Sequence, residues 1–589
     1  MATYYVSVHG DDGRTGTSRE DAFRTIQRGA DAAMPGDSVL IAGGIYRETV
    51  MLPRSGTPYA PITFAAIPGE EVIVSGLEVL TAPWQPFRNG IWQADCALPM
   101  GDQDAVFVDG QMMWYARWPK RTDDDLFNHQ GAPLRHEDCG IDFIHDPDLP
   151  DHSDGCYDGA VLWCSAYAKW TAWGATVRQS GGGTLRFTIP GEMAFAHDPG
   201  KPSGGNHSHH SDLNYYYLSG KLCLLDAPRE WFYSAEEKKL YLYPPAGTDP
   251  LAMRVEYRAR ELAFDLGVNS WLRLHNLCVE GAALSIRGDH NLVQGMRARH
   301  LVTHNGRGMH HTLPIKHNGI HITGSHNRVC NGEFAWSAGN AFLIDGGEDN
   351  ALINNLIHHI DYLGSYDCAI RLETTRPVRD NRFTRVVGNT IHTLGRSALH
   401  IGRPAQVLYN RISRAMLMTD DGGAVYACDV DMEGSHIAYN VVHSVRSHHS
   451  DRLSSAYYLD NDAINCVLHH NVAYDIEQDG AYRFNGPVNT GRYLLHATTF
   501  HTPDVLMAGT MGGYPEAINC LHNAGAENFE DAAAGDFRLK ADSPARGAGQ
   551  AVDLQTMRPL DQPADLGAFA FGSAWAAGCS VRGRTEDRP

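Results

Sequence analysis

The sequence predicts an all-β protein whose main body is a right-handed parallel β-helix. The first observation is an internal repeat between residues 259 and 500, in which an asparagine precedes apolar residues, a Gly-rich turn and an apolar strand. The second is composition: 60 glycines in 589 residues suit a fold with many turns, and 43% hydrophobic residues suit a large core. Stacked coils of one solenoid satisfy both observations.

The clearest copies of the repeat begin at Asn276, Asn355, Asn389, Asn410, Asn440 and Asn471. The last five asparagines are spaced by 34, 21, 30 and 31 residues, which fits coils with loops of unequal length. Equivalent residues of stacked coils lie about 4.8 Å apart, so these asparagines are expected to form a hydrogen-bonded ladder inside a turn. A β-propeller would need a more even repeat of ~40–45 residues, and the pattern of leucine-rich repeats is missing.

Residues 1–77 are predicted to form the N-terminal cap and the first coil. A helical period of about three turns runs through Ala22, Phe23, Ile26, Ala30 and Ala33 and ends at Pro35-Gly36. The segments FRTIQRGADAAMPGDSVLIAGGIYRE and APITFAAIPGEEVIVSG resemble the N-terminal cap of right-handed parallel β-helix proteins. That resemblance implies a short helix that covers the open end of the solenoid.

Residues 78–258 break the repeat and are rich in Trp and Tyr. The segments VFVDGQMMWYARWP and LLDAPREWFYSAEEKKLYLYPP resemble the β-sandwich insertion of some β-helix glycosidases. We therefore predict an inserted β-sandwich domain over 78–258, β-helix coils including the catalytic and C-terminal coils over 259–571, and a tail over 572–589.

Charge and hydropathy exclude several classes of partner. A formal net charge of −20 argues against nucleic acid and anionic membranes, which both require clustered Lys and Arg. No apolar run reaches ~18 residues, so no membrane span is predicted. The opening MATYYVSVHG has no signal peptide, which predicts a cytoplasmic protein, or a periplasmic or secreted one if a leader was removed. A monomer or homodimer is expected.

Carboxylates recur where the predicted strands of the coils end. Aligning the strand ends places Asp345, Glu373 and Asp460 along one edge, flanked by Arg371, His400 and Arg483. The coil between His400 and Asp460 holds Asp420, Asp421, Tyr426, Asp429 and Asp431. Neighbouring carboxylates on a rigid scaffold suit general acid–base chemistry, because like charges separate each other's pKa values. A strand-end Asp that only caps a turn is the structural alternative.

Glycoside hydrolysis needs two such carboxylates, about 5–5.5 Å apart in retaining enzymes and roughly 6.5–9.5 Å apart in inverting ones. Adjacent coils can supply either separation. The segments Asp421–Tyr426, Ile437–Asn440 and Tyr457–Asn461 resemble the active-site coils of glycoside hydrolase family 141, which includes an α-L-fucosidase and a xylanase. The resemblance implies that Asp421 and Asp460 are the catalytic pair, one coil apart.

The remaining site predictions follow from the same alignment. Asp420, Asp429 and Glu373 are reserve catalytic acids, and Arg371, His400, Tyr426, Tyr458, Arg483 and Asn485 are predicted to bind an oligosaccharide or polysaccharide. No cofactor is required for this chemistry. A calcium ion at Asp429, Asp431 and Glu433 is a further possibility, because all three supply oxygen ligands.

Two other families share the architecture. Family 120 β-xylosidases place a Glu one coil after their Leu-Asp, whereas this chain has Arg483 or Asn485 near that position, which argues against that family. Family 6 polysaccharide lyases share the N-terminal phrase and use a Lys/Arg pair with calcium, but residues 400–490 contain no lysine. A polysaccharide lyase and a non-catalytic carbohydrate-binding β-helix stay open as alternatives to a glycosidase.

Overall fold

The computed structural model describes 1–128, 130–189, 191, 194–201, 213–307, 309, 317–373, 383–446, 454–461, 463–476, 481–485, 493–496, 499–501, 507–508, 516–518, 526–532, 536–553, 558–565 and 568–569. About 45% of the residues lie in strands and 5% in helices. Long parallel sheets form the body of the protein, which confirms the predicted parallel β-helix. The predicted tail, 572–589, lies outside the described residues.

Three parallel sheets run the length of the solenoid. The first has strands Thr3–Val6, Ser38–Ile41, Ile62–Ala66, Leu272–His275, Leu292–Gln294, Arg328–Cys330, Ala351–Ile353, Thr384–Val387, Ala405–Leu408, Asp431–Ala438, Ile464–His469, Tyr493–His496 and Glu516–Ile518. The second has Gly44–Tyr46, Val72–Ser75, Cys278–Glu280, Arg297–Arg299, Glu333–Ser337, Leu356–Ile360, Thr390–Leu394, Arg411–Ser413, Val441–Val445, Val472–Ile476 and Thr499–His501. The third has Val50–Met51, Leu262–Asp265, Ala283–Ile286, Ile320–Ile322, Phe342–Asp345, Cys368–Glu373, Ser397–Ile401, Gly422–Cys428, Ser454–Asp460, Tyr482–Phe484 and Met507–Ala508.

The interior of the solenoid is filled by stacked apolar side chains. In the third sheet, Ile344, Leu372 and Ile401 occupy successive rungs, and each is fully buried. Alternate residues of the same strands point outward, because side chains on a strand alternate between faces. The outward positions of the third sheet therefore form straight rows of polar side chains on a rigid support.

The predicted asparagine ladder is present over five coils. Asn389 donates its backbone N–H (2.9 Å) and its Nδ2 (3.0 Å) to the Oδ1 of Asn410, and Asn410 makes the same pair of bonds to Asn440. The ladder runs from Asn355 to Asn471, and all five members are fully buried. The prediction that Asn276 belongs to the ladder is wrong. Asn276 is exposed in the left-handed conformation (φ 55°), and Leu277 occupies the buried position.

A second ladder was missed by the sequence alignment. Asn291 and Asn327 donate their backbone N–H groups to the Oδ1 atoms of Asn327 and Asn350, each at 2.9 Å. These three asparagines lie at a different corner of the coils, directly before strands of the first sheet. Their spacing of 36 and 23 residues is as irregular as that of the main repeat, so it did not stand out.

The cap helix is shorter than predicted. It covers Ile26–Ala32, with the Thr25 side chain accepting the backbone N–H of Arg28 as N-cap. Ala22 and Phe23 precede it and are buried, and Phe23 forms a parallel β-bridge with Val6. Ile26 and Ala30 pack into the interior core, so the helix covers the N-terminal end of the solenoid. In the described part of the chain, no helix is long and apolar enough to cross a membrane.

The segment between the first coils and residue 261 forms small, mainly antiparallel sheets. Their strands are Leu77–Val79, Gln85–Arg88, Ile91–Asp95, Val106–Val108, Gln111–Met112, Trp114–Tyr115, Arg117–Trp118, Ala132–Arg135, Cys139–Gly140, Phe143–His145, Val161–Ser165, Trp173–Thr176, Gln179–Gly181, Thr184–Arg186, Leu213–Ser219, Glu230–Ser234, Lys239–Tyr243 and Val255–Arg258. We call this segment the insertion. A two-layer sandwich for it stays a prediction.

The insertion docks on one turn of the β-helix. The Trp163 indole donates to the carbonyl of Leu363 at 3.0 Å, and the Ala172 N–H donates to the carbonyl of Gly364 at 2.6 Å. Trp163 is fully buried and belongs to an apolar cluster that also contains Leu363 and Met418. The insertion therefore lies against the coils that carry the predicted site.

The C-terminal part packs outside the solenoid. Phe529–Asp531 and Asp536–Leu539 pair antiparallel, and Phe529 and Phe537 pack on Val441 and Val472 of the second sheet. A further pair, Gly549–Asp553 and Arg558–Ala564, follows. Short 3-10 turns occur at Gly101–Gln103, His136–Asp138, Ala194–His197, Leu222–Leu224 and Ala526–Asn528.

Histidines of the second sheet give stability a pH dependence. Burial lowers the pKa of His300 and of His392 from 6.5 to about 3 each, so both are neutral in the folded protein. The unfolded chain binds these protons first as the pH falls, so their contribution is present above pH 6.5 and is lost towards pH 3. His392→Gln is expected to remove up to about 4 kcal/mol of this loss. Guanidinium unfolding at several pH values between 6.5 and 3 measures it. An unchanged pH slope would contradict this account, and His9→Gln, at an exposed histidine, is the control.

Candidate active site

Outward side chains of the third sheet form two parallel rows. Strand register places Arg371, His400, Tyr426, Tyr458 and Arg483 on successive rungs, and we call this the inner row. Two residues further along the strands, Asp345 pairs with Glu373 and Cys428 pairs with Asp460. This second line is the carboxylate row, and it is the edge that the strand-end alignment predicts.

Asp460 ends the strand Ser454–Asp460 and is held by three donors. Its Oδ2 accepts the Tyr426 hydroxyl at 2.8 Å, and its Oδ1 accepts the Tyr458 hydroxyl at 2.9 Å and Asn485 Nδ2 at 2.7 Å. The three donors come from three consecutive coils, so strand register fixes the geometry. Burial holds the pKa of both phenols well above the ordinary value, so both stay protonated and donate. Asp460 itself is 7% exposed.

Asp421 is held differently. It precedes the strand Gly422–Cys428 in the left-handed conformation (φ 49°), and its Oδ1 accepts Arg483 Nη1 at 2.8 Å. The Arg483 guanidinium lies 4.3 Å above the Tyr458 ring, and the charge of Asp421 adds to burial in raising the pKa of that phenol. Tyr458 thus links the surroundings of both aspartates.

The two aspartates lie on adjacent coils but at opposite strand ends. Asp421 stands before its strand, whereas Asp460 is the last residue of the next one. The sequence analysis places them one coil apart, and they do lie on adjacent coils. The seven-residue strand nevertheless separates the two backbone positions, and Tyr458 and Arg483 contact Asp460 and Asp421, respectively.

The upstream end of the inner row is a cationic group. Arg371 Nε donates to Glu373 Oε1 at 2.5 Å, and its Nη1 donates to the Tyr366 carbonyl at 2.9 Å. His400 lies next to it, with its Nδ1 3.5 Å from Arg371 Nη1. Burial, and then the charge of Arg371, lower the pKa of His400 well below its usual range. The reserve acid Glu373 is thus already ion-paired, and its side chain is 42% exposed.

The other reserve acids differ in exposure. Asp420 is 5% exposed, and its backbone N–H donates to the Lys169 carbonyl at 2.9 Å, so the insertion touches it. Asp429 is exposed and donates its N–H to the Asn461 carbonyl at 2.8 Å.

The possible calcium ligands Asp429, Asp431 and Glu433 are all exposed. Asp431 Oδ1 accepts the N–H of Glu433 and Asn465 Nδ2, each at 2.9 Å. Among the residues that the structure describes, no group of three or more His, Cys, Asp or Glu is arranged to hold a metal ion. A calcium ion at these three carboxylates stays a prediction.

Sequence analysis missed Arg396 and Tyr366. Arg396 is 1% exposed, and its guanidinium lies 4.3 Å over the Tyr366 ring and 4.6 Å over the Tyr426 ring. Its Nε donates to the carbonyl of Trp170 at 3.0 Å, which joins the insertion to the site. An arginine directly before the fully buried strand Ser397–Ile401 was the available signal.

Comparison with known proteins agrees with this fold. No family profile matches the chain. An uncharacterized protein, YwoF, of Bacillus subtilis (strain 168) is 40% identical over 81 residues, 14% of this chain and 17% of that protein. Pectate lyase PEL9 of Emericella nidulans is 36% identical over 115 residues, 19% of this chain and 26% of that protein. The matches thus span about a quarter or less of each relative.

Two solved structures resemble the whole chain. A structure described as a glycoside hydrolase has a TM-score of 0.62 at 15% identity and covers 89% of this chain and 96% of its own. A complex of XylC with xylose has a TM-score of 0.53 at 12% identity and covers 98% and 99%. At such identities the likeness establishes the fold and nothing more.

Proposed function

We propose that the protein is a carbohydrate-active enzyme, a glycoside hydrolase that cleaves a glycosidic bond with Asp421 and Asp460. The observation that carries the proposal is the setting of Asp460, a carboxylate at the end of a rigid strand that accepts three hydrogen bonds from three coils. A carboxylate that only caps a turn bonds to nearby backbone N–H groups instead. Asp421 supplies the second carboxylate from the adjacent coil, at the opposite strand end, and Arg483 and Tyr458 connect its surroundings to those of Asp460.

Within this proposal the two aspartates divide the work. Asp460, oriented by neutral donors, suits the base or nucleophile, because its oxygens are fixed without a competing cation. To act as the acid, Asp421 must first take up a proton, which requires that a sugar hydroxyl replace it as the partner of Arg483. His400, Arg371 and Asn485 then supply hydrogen bonds to sugar hydroxyls. The substrate is an oligosaccharide or polysaccharide of plant or microbial origin.

A polysaccharide lyase is the second candidate, and two observations favour it. Arg371, Arg396 and Arg483 bring three guanidinium groups to this face. The absence of lysine between residues 400 and 490 therefore does not leave the site without cations. One relative over part of the chain is named a pectate lyase.

Product analysis separates the two candidates. The purified chain is incubated with neutral glycans, aryl glycosides and uronate polysaccharides, and the masses of the products are measured by mass spectrometry. Hydrolysis adds one water per cleavage, whereas elimination adds none and leaves an unsaturated uronate that absorbs in the ultraviolet. Asp421→Asn and Asp460→Asn are run beside Asp265→Asn, a strand-end carboxylate of the same sheet that is paired with Arg287.

The glycosidase proposal expects water-added products that vanish in both site variants and persist in the control. Unsaturated products would replace it with the lyase. Binding without turnover on any glycan would support a non-catalytic carbohydrate-binding protein.

A further inference from the structure

A separate cavity lies where the insertion meets the β-helix. Its volume is about 90 Å³, and none of its lining residues belongs to the candidate active site. One wall comes from the insertion, including Trp114, Arg117 and Arg121, and the other from Thr303–Asn305 and Tyr362–Leu363 of the β-helix. The cavity therefore lies at the interface between the insertion and the β-helix, and both sides contribute polar groups.

Two guanidinium groups line this cavity. Arg117 is 3% exposed, lies 3.9 Å over the Tyr217 ring, and donates to the carbonyls of Pro119 and Gln130 at 2.9 Å each. Arg121 lies 4.7 Å over the Trp114 ring and donates to the Asp125 carbonyl at 3.2 Å. Burial lowers the pKa of both, and the charge of Arg121 lowers that of Arg117 further. Two guanidinium groups thus line one cavity.

The nearby carboxylates have other partners besides the two arginines. Glu230 forms an ion pair with Lys120 at 2.8 Å and accepts the backbone N–H of Arg117 at 3.4 Å. Asp123 accepts Gln130 Nε2 at 2.5 Å, and Asp125 Oδ1 accepts the N–H of Phe127 at 2.9 Å. The lining acid Asp104 has its pKa raised to about 6 by burial. Their attraction does not outweigh the burial of Arg121, whose pKa remains lowered.

Neutral donors complete the lining. Ser219 is 3% exposed, and in the described part of the structure its hydroxyl has no hydrogen-bond partner. The Tyr115 hydroxyl accepts Arg307 Nη2 at 3.3 Å and keeps its own proton, since burial raises its pKa. Buried polar groups in native proteins normally have partners, so an unpartnered hydroxyl beside two guanidiniums points to an acceptor that belongs there.

We propose that this cavity binds an oxyanion, a carboxylate or a phosphate, between Arg117 and Arg121 with Ser219 as an additional donor. Guanidinium groups bind planar carboxylates and phosphates through paired, charge-assisted hydrogen bonds. An anion would relieve the repulsion between the two arginines and satisfy Ser219. The proposal goes beyond glycan cleavage and does not depend on Asp421 or Asp460.

Calorimetric titration of the full-length chain tests the site. Acetate, glucuronate and inorganic phosphate are titrated separately at matched ionic strength in sodium chloride, with glucose as the neutral probe. Arg121→Gln is expected to weaken binding by about tenfold or more, because it removes a charged donor. Arg186→Gln is the matched control, since Arg186 also lies over a ring of the insertion (Phe143, 5.9 Å) but outside the cavity. Ser219→Ala, a small deletion, gives a second reading if Arg121→Gln does not fold.

Saturable binding of one probe anion that is weakened in Arg121→Gln or Ser219→Ala and unchanged in Arg186→Gln supports the site. Phosphate binding without acetate or glucuronate identifies a phosphate ligand, and the reverse identifies a carboxylate. No anion binding above chloride, wild-type affinity in both cavity variants, or saturation by glucose alone would overturn the proposal.

Discussion

Asp460→Asn is expected to lower kcat/KM on the cleaved glycan by about 10²–10⁴-fold, the range that a positioned acid–base group contributes. Asparagine keeps the size of the side chain but cannot accept or release a proton, and its amide would oppose one of the donors Tyr426, Tyr458 and Asn485. Steady-state rates against wild type measure the loss, with circular dichroism confirming the fold.

Two further variants are compared with Asp460→Asn. Asp265 also ends a strand of the same sheet, and the variant Asp265→Asn should retain wild-type rates. Tyr458→Phe removes one of the three donors to Asp460 and should cost less than Asp460→Asn, because two donors still orient the carboxylate. Wild-type activity in Asp460→Asn would remove that residue from the mechanism and leave its hydrogen bonds a structural role.

Asn410→Ala is expected to destabilise the protein by about 3–5 kcal/mol, because several buried polar groups lose their partners together. The N–H and Nδ2 of Asn389 lose their acceptor, and the carbonyl of Val386 loses its donor. No water reaches this corner, since all ladder members are fully buried. The shift of the denaturation midpoint measures the effect.

Asn354→Ala is the matched control for the ladder. Asn354 precedes Asn355 directly but is partly exposed, and its Nδ2 bonds to Asn331 Oδ1 at 2.6 Å on the surface. Its loss should cost about 1–2 kcal/mol, because alanine must take up the left-handed conformation of Asn354 (φ 55°). Equal midpoints for Asn410→Ala and Asn354→Ala would show that the ladder contributes little to stability.

Repetition made much of the fold predictable. One asparagine per coil, followed by apolar residues, is a local pattern that directly reflects stacked rungs, so the β-helix and most of the ladder followed from spacing. The same logic aligned Arg371, His400, Tyr458 and Arg483, because residues at equivalent strand positions must share a row. Asn276 failed because a shift of one residue changes which side chain enters the turn.

Contacts between residues far apart in sequence could not be predicted from the repeat. Arg396 belongs to the site through the carbonyl of Trp170, 226 residues earlier, and no periodicity links the two. The docking of Trp163 on Leu363, and the cavity between Arg117 and Tyr362, likewise depend on how the insertion packs. Such contacts arise from surface complementarity, which a sequence pattern does not encode locally.

The sequence by itself determined the solenoid, its ladder of asparagines and the row of strand-end carboxylates, because each depends on a repeat of one coil. The tertiary structure alone decided that Asp421 and Asp460 stand at opposite strand ends, that Tyr426, Tyr458 and Asn485 all bond to Asp460, and that the insertion contacts Arg396 and Asp420. These features depend on side-chain direction and strand length, which differ between coils that look alike in sequence.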